Sequence, residues 1–268
     1  MNVIPSTSKI KLAARLLVRQ PSEFRDRALN SLHARWELIR SRQPRLSPMA
    51  LGDALIALGE TAPEFGEALA ARDCGAISQH VRSRLLALRE GGPFVADHNA
   101  DFDLAEACHT ICRALRPAVT VETGVAYGVT SSFILDALAQ NNSGQLWSVD
   151  LPPLARQADD YVGYLVPEAL KERWVLTRGC TQRVLPGLMA SLGTVDLFVH
   201  DSLHTYTHMM MEFELAWQFL RPGGVLIADD VEGNFALQDF TRRVDPAFCA
   251  VVAEKTKPCA FAVLIKAR

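Results

Sequence analysis

Residues 120–132, TVETGVAYGVTSS, form the stretch whose reading decides the fold. Ala118 to Glu122 reads as a strand; it breaks at Gly124, a second glycine follows at Gly128, and Phe133 to Leu138 is an apolar helical run. A strand passing through a glycine loop into a helix suits ligand binding, because glycines let the backbone approach a ligand closely and free amides at the helix start attract negative charge. Glu122 stands at the strand end beside the loop, where a carboxylate disfavours a pyrophosphate and favours a cationic or amine-bearing ligand. The phosphate-binding GxGxxG spacing is absent. A turn that needs glycine only for packing is the bland alternative, and this loop alone leaves it open.

Outward from the loop, the next strand ends in Asp150, within LWSVDLPP. The ExGxxxG pattern followed about one βα unit later by that carboxylate suits a ligand with an ammonium group and a ribose diol. S-adenosylmethionine has both. Candidate strands are Val119 to Glu122, Leu146 to Asp150, Trp174 to Arg178, Leu197 to Asp201, Val225 to Asp229, Cys249 to Glu254 and Ala260 to Ile265, with helices between the first five. Such alternation predicts a Rossmann-like, doubly wound α/β fold, covered on both faces, with ligands at the carboxyl ends of the strands. The short Lys255 to Pro258 connection makes the last two strands a hairpin, so the seven-stranded, mostly parallel sheet ends in an antiparallel strand.

Residues 1–94 read as a helical cap or dimerisation region ahead of the 95–268 domain. Ser6 and Ser8 can cap a basic amphipathic run, Pro21 restarts the chain, Ser47 and Pro48 open a third helix, and a fourth is expected from Pro63 to Arg89. Gly91 to Pro93 marks the boundary. The polar run from Asp97 through His98 and Asn99 to Asp101 either borders the active site or caps the next helix.

Acidic residues accumulate where the fourth and fifth strands end, in VDLFVHD and VLIADD. Neighbouring parallel strands end side by side, so Asp201, Asp229 and Asp230 should converge, and three such carboxylates repel unless a cation joins them or some are protonated. Oxygen ligands with room for water and a substrate hydroxyl suit Mg²⁺, with Mn²⁺ or Ca²⁺ as alternatives. The bland reading has Asp201 capping the next helix and Asp230 facing solvent. His204, three residues beyond Asp201, has the placement of a general base. His200 should point to the opposite face as a core histidine, His208, one helical turn past His204 on the same face, reads either as a surface residue or as a support behind the site, and MMMEFELAW from Met209 as a helix face packed on the sheet.

The 268 residues are 49% hydrophobic, enough for a sizeable core, and a net charge of −2 gives no global pull towards nucleic acid or membrane. No run is long enough to span a membrane. The six cysteines show no CxxC pair or zinc-ligand spacing, which points to reduced thiols and a cytoplasmic protein.

Together VETGVAYG, SVDLPP, DLFVHDSLHTY and LRPGGVLIADD resemble the class I S-adenosylmethionine-dependent methyltransferases, most of all the bacterial metal-dependent sugar and natural-product O-methyltransferases, over about residues 95–268. The resemblance implies that Glu122, Thr123 and Gly124 border the methionine end of the cofactor, with Gly128 and Ser131 shaping the loop. It implies ribose on Asp150, adenine near Cys180 and Thr181, Asp201 at the cofactor edge, Mg²⁺ on Asp201, Asp229 and Asp230, and His204 as base. Cys180 replaces a frequent acidic residue, and Asp230 a frequent asparagine. The expected activity is methyl transfer to a hydroxyl of a small molecule or glycan. The rivals are a metal-independent methyltransferase acting on nitrogen or carbon, and a non-catalytic scaffold that uses the helical amino-terminal third.

Overall fold

The computed structural model describes residues 7–40, 43–66, 69, 73–88, 92–94, 101–155 and 157–268. The strands are β1 (Val119–Thr123), β2 (Gln145–Asp150), β3 (Trp174–Arg178), β4 (Val195–His200), β5 (Leu220–Ala228), β6 (Phe248–Ala253) and β7 (Ala260–Ile265). They form one seven-stranded sheet in the order β3-β2-β1-β4-β5-β7-β6. β1 to β5 pair in parallel, and β7 runs antiparallel to both β5 and β6. This is the expected architecture. Strand order reverses between β1 and β4, which opens a crevice at their carboxyl ends.

The helices are α1 (Thr7–Arg19), α2 (Pro21–Arg40), α3 (Leu51–Thr61), α4 (Gly75–Ala87), α5 (Phe102–Leu115), α6 (Val129–Asn141), α7 (Ala158–Tyr161), α8 (Thr181–Leu192), α9 (Tyr206–Phe219) and α10 (Ala236–Val244). Alternation along the strands sorts the core into two layers. Val199, Ile227, Val252 and Phe261 pack with Leu55 of α3, Ile111 of α5 and Leu135 of α6 on one face. On the other, Val121, Phe198 and Leu226 pack with Met189 of α8, Phe213 of α9 and Phe240 of α10. Phe198, Phe213, Phe240 and Phe261 are fully buried, each contributing roughly 2–3 kcal/mol of hydrophobic transfer. MMMEFELAW does pack on the sheet, through Met209, Met210, Phe213 and Ala216.

Two local expectations change. The fourth helix does not run from Pro63: a 3-10 turn covers Pro63–Phe65, and α4 begins only at Gly75. Gly66 and Leu69 are helical, but Asp73 and Cys74 are not, so the chain breaks before α4. Among its described residues the β2 to β3 connection holds the four-residue α7 and a 3-10 turn at Glu168–Arg173, a packed loop rather than a covering helix.

Asp101 caps α5, its Oδ1 accepting from the Asp103 amide at 2.8 Å, while Asp97, His98 and Asn99 of the same polar run lie outside the described residues. The same Asp101 accepts from the Thr256 amide and hydroxyl, and Asp103 accepts from the Lys255 amide at 2.9 Å, which clamps the β6–β7 turn to the start of α5. Met49 bridges to Val252, so the segment leading into α3 joins the β6 edge. Among the described residues no helix is long and apolar enough to cross a membrane.

Candidate active site at the carboxyl ends of the strands

Glu122 is fully buried. Its Oε2 accepts hydrogen bonds from Ser131 Oγ and Ser148 Oγ, both at 2.7 Å, while Oε1 has no partner. Burial pushes its pKa to about 7, against the pull of the two hydroxyls. Gly124 has φ +82°, and a Cβ there would lie 1.8 Å from the Asp201 carbonyl oxygen, so only glycine lets β1 and the end of β4 come this close. Gly128, with φ +87°, starts α6 against Gly163 of the following loop.

Asp150 closes the glycine loop from β2. Its Oδ2 accepts from the amides of Val125 at 3.1 Å and Ala126 at 2.9 Å. Burial raises its pKa, and these amides with Arg178 and Arg27 pull it back. The 157–167 loop seals the same region by backbone bonds, Gly163 N to Ala126 O at 3.0 Å and Leu165 N to Tyr127 O at 2.9 Å. Tyr161 stands edge-on to Tyr127, with ring centroids 6.3 Å apart. Tyr164 is 38% exposed beside it.

Across the crevice, the pairing of Val199 with Ile227 and His200 with Ala228 brings Asp201 level with Asp229. Ligand atoms of Asp201, His204 and Asp229 lie within 4.8 Å of one another. Asp230, in the left-handed region at φ +49°, turns its carboxylate to His204 Nδ1 at 2.8 Å rather than into this trio. With Glu232 and Cys259 it forms a separate cluster, also within 4.8 Å. The sequence expectation of Asp201, Asp229 and Asp230 together is therefore realised as Asp201, His204 and Asp229, with Asp230 behind the imidazole.

The charges in this cluster push one another apart. Burial, then the neighbouring Asp229, drives the Asp201 carboxyl well above the usual range. Burial also lifts Asp229 to about 6, against the attraction of His204. The His204 hydrogen bond holds Asp230 down at about 2. Burial by itself would depress His204, but the Asp230 hydrogen bond and the charges of Asp229 and Asp230 outweigh it and raise its pKa. Asp229 Oδ1 and His204 Nε2 are buried without partners. The two carboxylates offer oxygen donors that fit a divalent cation, and the unpartnered imidazole Nε2 lies beside them.

Cys180 and Thr181, expected near the adenine, meet α2. Cys180 Sγ is buried beside Asn30 Nδ2 at 3.6 Å, and Thr181 Oγ1 lies 2.8 Å from His208 Nε2. Helix α2 crosses the ends of β2 and β3 on polar contacts: Arg27 to Pro152 O at 2.8 Å, Glu23 to Arg178 at 2.6 Å, and Gln182 Nε2 to Asn30 Oδ1 at 2.9 Å. Further along, Glu37 accepts from the Tyr206 and Thr207 amides at the start of α9, at 2.6 and 3.2 Å. A cavity of about 160 Å³ remains between these elements, lined by Asn30, His33, Gln182, Leu203, His208 and Met211.

Three features escaped the sequence reading. His208 is buried and bonded rather than on the surface. Glu212, read as part of a packing face, is fully buried and also accepts from Thr123 Oγ1 at 2.5 Å and His200 Nδ1 at 2.7 Å. Its signal was a carboxylate three residues after Met209 and four before Ala216, within an apolar stripe. Glu254, at the end of β6, is buried with Oε1 unpartnered, and burial with Asp229 and Asp101 nearby raises it to about 9.

The family model described as a methyltransferase domain matches residues 121–231, which span β1 through the turn after β5. No curated protein matches the chain in sequence. Among solved structures, the O-methyltransferase TomG from Streptomyces achromogenes, involved in tomaymycin synthesis and bound to S-adenosylmethionine, is similar at 16% identity with TM-score 0.57, over 72% of this chain and 90% of that one. The S-adenosylhomocysteine-bound methyltransferase PaMTH1 from Podospora anserina is similar at 14% identity with TM-score 0.51, over 72% and 88%. The O-methyltransferase from Bacillus cereus in complex with S-adenosylhomocysteine has 13% identity and TM-score 0.50, over 71% and 91%. At such identities the likeness establishes the fold, and within that fold residues 121–231 match a methyltransferase domain.

Proposed function

We propose that the protein transfers a methyl group from S-adenosylmethionine to a hydroxyl of a small molecule or glycan, assisted by a divalent ion, Mg²⁺ or Mn²⁺. The observation that carries this reading is the convergence of Asp201, His204 and Asp229 within 4.8 Å beside the glycine loop. Asp201 and Asp229 would hold the ion. When bound it would supply the Lewis acidity that makes an acceptor hydroxyl easier to deprotonate.

The chain's own residues account for the rest. The Asp230 carboxylate holds Nδ1 of His204, which leaves Nε2 aimed at Asp201 as the acceptor of the hydroxyl proton. Asp150 keeps Oδ2 on the loop amides and offers Oδ1 to the ribose. Cys180, Thr181 and Leu203 border the adenine end. Gly124, Gly128 and Ser131 shape the loop that holds the methionine moiety, and transfer follows from holding sulfur, methyl and oxygen in line. Residues 1–94 act as a cap through α2. The exposed Leu29, Leu32 and Trp36 on α2 suit a homodimer contact, and the cytoplasm is the proposed location.

The test is calorimetric titration of Mg²⁺ into protein saturated with S-adenosylhomocysteine, comparing wild type with Asp229→Asn. Binding is expected in the wild type and lost in the variant. Absence of binding in both, with methyl transfer intact in excess chelator, would replace this reading with a metal-independent methyltransferase.

A further inference from the structure

Glu212, on α9, is the most completely bonded buried carboxylate among the described residues. Oε2 accepts from Thr123 Oγ1 at 2.5 Å and His200 Nδ1 at 2.7 Å; Oε1 accepts from His208 Nε2 at 2.8 Å and Ser202 Oγ at 2.9 Å. Gln182 Nε2 donates to His208 Nδ1 at 2.7 Å, so Nε2 carries the hydrogen that faces Glu212. Burial alone would raise this carboxyl, but His200 and His208 hold it well below the usual carboxylate range. A buried charge costs several kcal/mol unless its partners are complete, and an apolar side chain would fill the same space at no such cost. Met209, Met210 and Phe213 already provide apolar packing around it. What the carboxylate adds is fixed geometry.

The four donors show what is fixed. His200 and Ser202 flank Asp201 on either side. Thr123 is the residue whose carbonyl accepts from the Asp201 amide, at 2.8 Å, and it precedes Gly124 of the cofactor loop. The ring of His200 stands edge-on to that of His204, centroids 5.4 Å apart at 77°. Through His208 the network reaches Thr181 and Gln182 at the turn after β3. One carboxylate thus ties the ends of β1 and β4 to the turn after β3, without bonding Asp201 or His204 itself.

We infer that Glu212 is the positioning residue that fixes Asp201 and His204 relative to the cofactor loop, an inference that rests on the O-methyltransferase reading of the same site. It acts through His200, Ser202 and Thr123 and touches no reacting atom. Glu212→Gln keeps the volume but replaces one acceptor oxygen with a donor, so two of the four bonds lose their acceptor. Expected is a fall of about 100-fold in kcat, the scale for a misplacement of about 1 Å, with KM for S-adenosylmethionine changed less than about threefold.

The control is Phe240→Leu, which loosens the same layer without touching the network. A Phe240→Leu variant with a matching Tm loss and an equal loss of kcat would reduce Glu212 to a structural role. In a His204→Ala background, Glu212→Gln should cost less than it does in the wild type; fully multiplicative losses would also overturn the inference. A crystal structure of Glu212→Gln separates this proposal from the reading beneath it. Asp201 and His204 left in place would sink the positioning role even if hydroxyl methylation is real, whereas their displacement would support it even if the acceptor is not a hydroxyl. Should Glu212→Gln fail to fold, Ser202→Ala removes one of the four donors and serves for the same measurements.

Discussion

Asp230 Oδ2 lies 2.8 Å from His204 Nδ1, and the other face of that imidazole, Nε2, lies 3.7 Å from Asp201 Oδ1. The ring is held from behind by one carboxylate and presented to another. Such an arrangement fixes both tautomer and direction, so the acidic residue outside the trio of Asp201, His204 and Asp229 governs what the histidine does.

Removing the imidazole should therefore cost more than loosening its hold. His204→Ala is expected to lower kcat by about 100- to 1,000-fold, the range for loss of a positioned base. Asp230→Asn, which keeps a weaker hydrogen bond, should lose about 10-fold and leave S-adenosylhomocysteine affinity unchanged. Initial rates at saturating cofactor, with calorimetric affinities, check both. Unchanged turnover in His204→Ala would remove the base from the mechanism.

Glu122 makes ligand-free stability pH-dependent. Its folded pKa of about 7 exceeds the ordinary value of 4.5, so the folded state holds the proton more tightly than the unfolded chain. The contribution is complete below pH 4.5 and is lost as pH rises through about 7, by at most about 3 kcal/mol. Denaturant unfolding of wild type and Glu122→Gln across this window should show the difference between them drifting in the variant's favour. Parallel pH profiles would rule the effect out.

Gly124→Ala combines a strained φ with a collision against the Asp201 carbonyl. With φ at +82° and the added carbon 1.8 Å from that oxygen, β1 and β4 must separate at their carboxyl ends. A loss of at least about 2 kcal/mol is expected. Thermal melts measure it, and a variant with unchanged Tm would show that the close approach is not maintained in solution.

The strands, the glycine loop and the row of acidic strand ends were legible because each is local. β-branched runs bounded by turn residues define strands, and a parallel sheet puts their carboxyl ends on one edge. Asp201 and Asp229 came together as expected because neighbouring parallel strands keep register. The single helix expected from Pro63 to Arg89 is broken at Asp73 and Cys74, a break that its apolar spacing did not mark.

Side-chain direction and long-range docking were decided elsewhere. Asp230 turns away from Asp201 and Asp229 because the chain enters the left-handed region there, placing its carboxylate against His204. Glu212 was invisible as a site residue because its meaning depends on Thr123, His200 and Ser202, brought to it from β1 and β4. Helix α2 was legible only as a helix restarting at Pro21, yet its Glu23, Arg27 and Asn30 find partners more than a hundred residues away. Periodicity and turn chemistry in the sequence alone determined the elements and the edge of the sheet where chemistry belongs. Only the tertiary structure decided which charges meet there, because hydrogen-bond partners distant in sequence are chosen by packing.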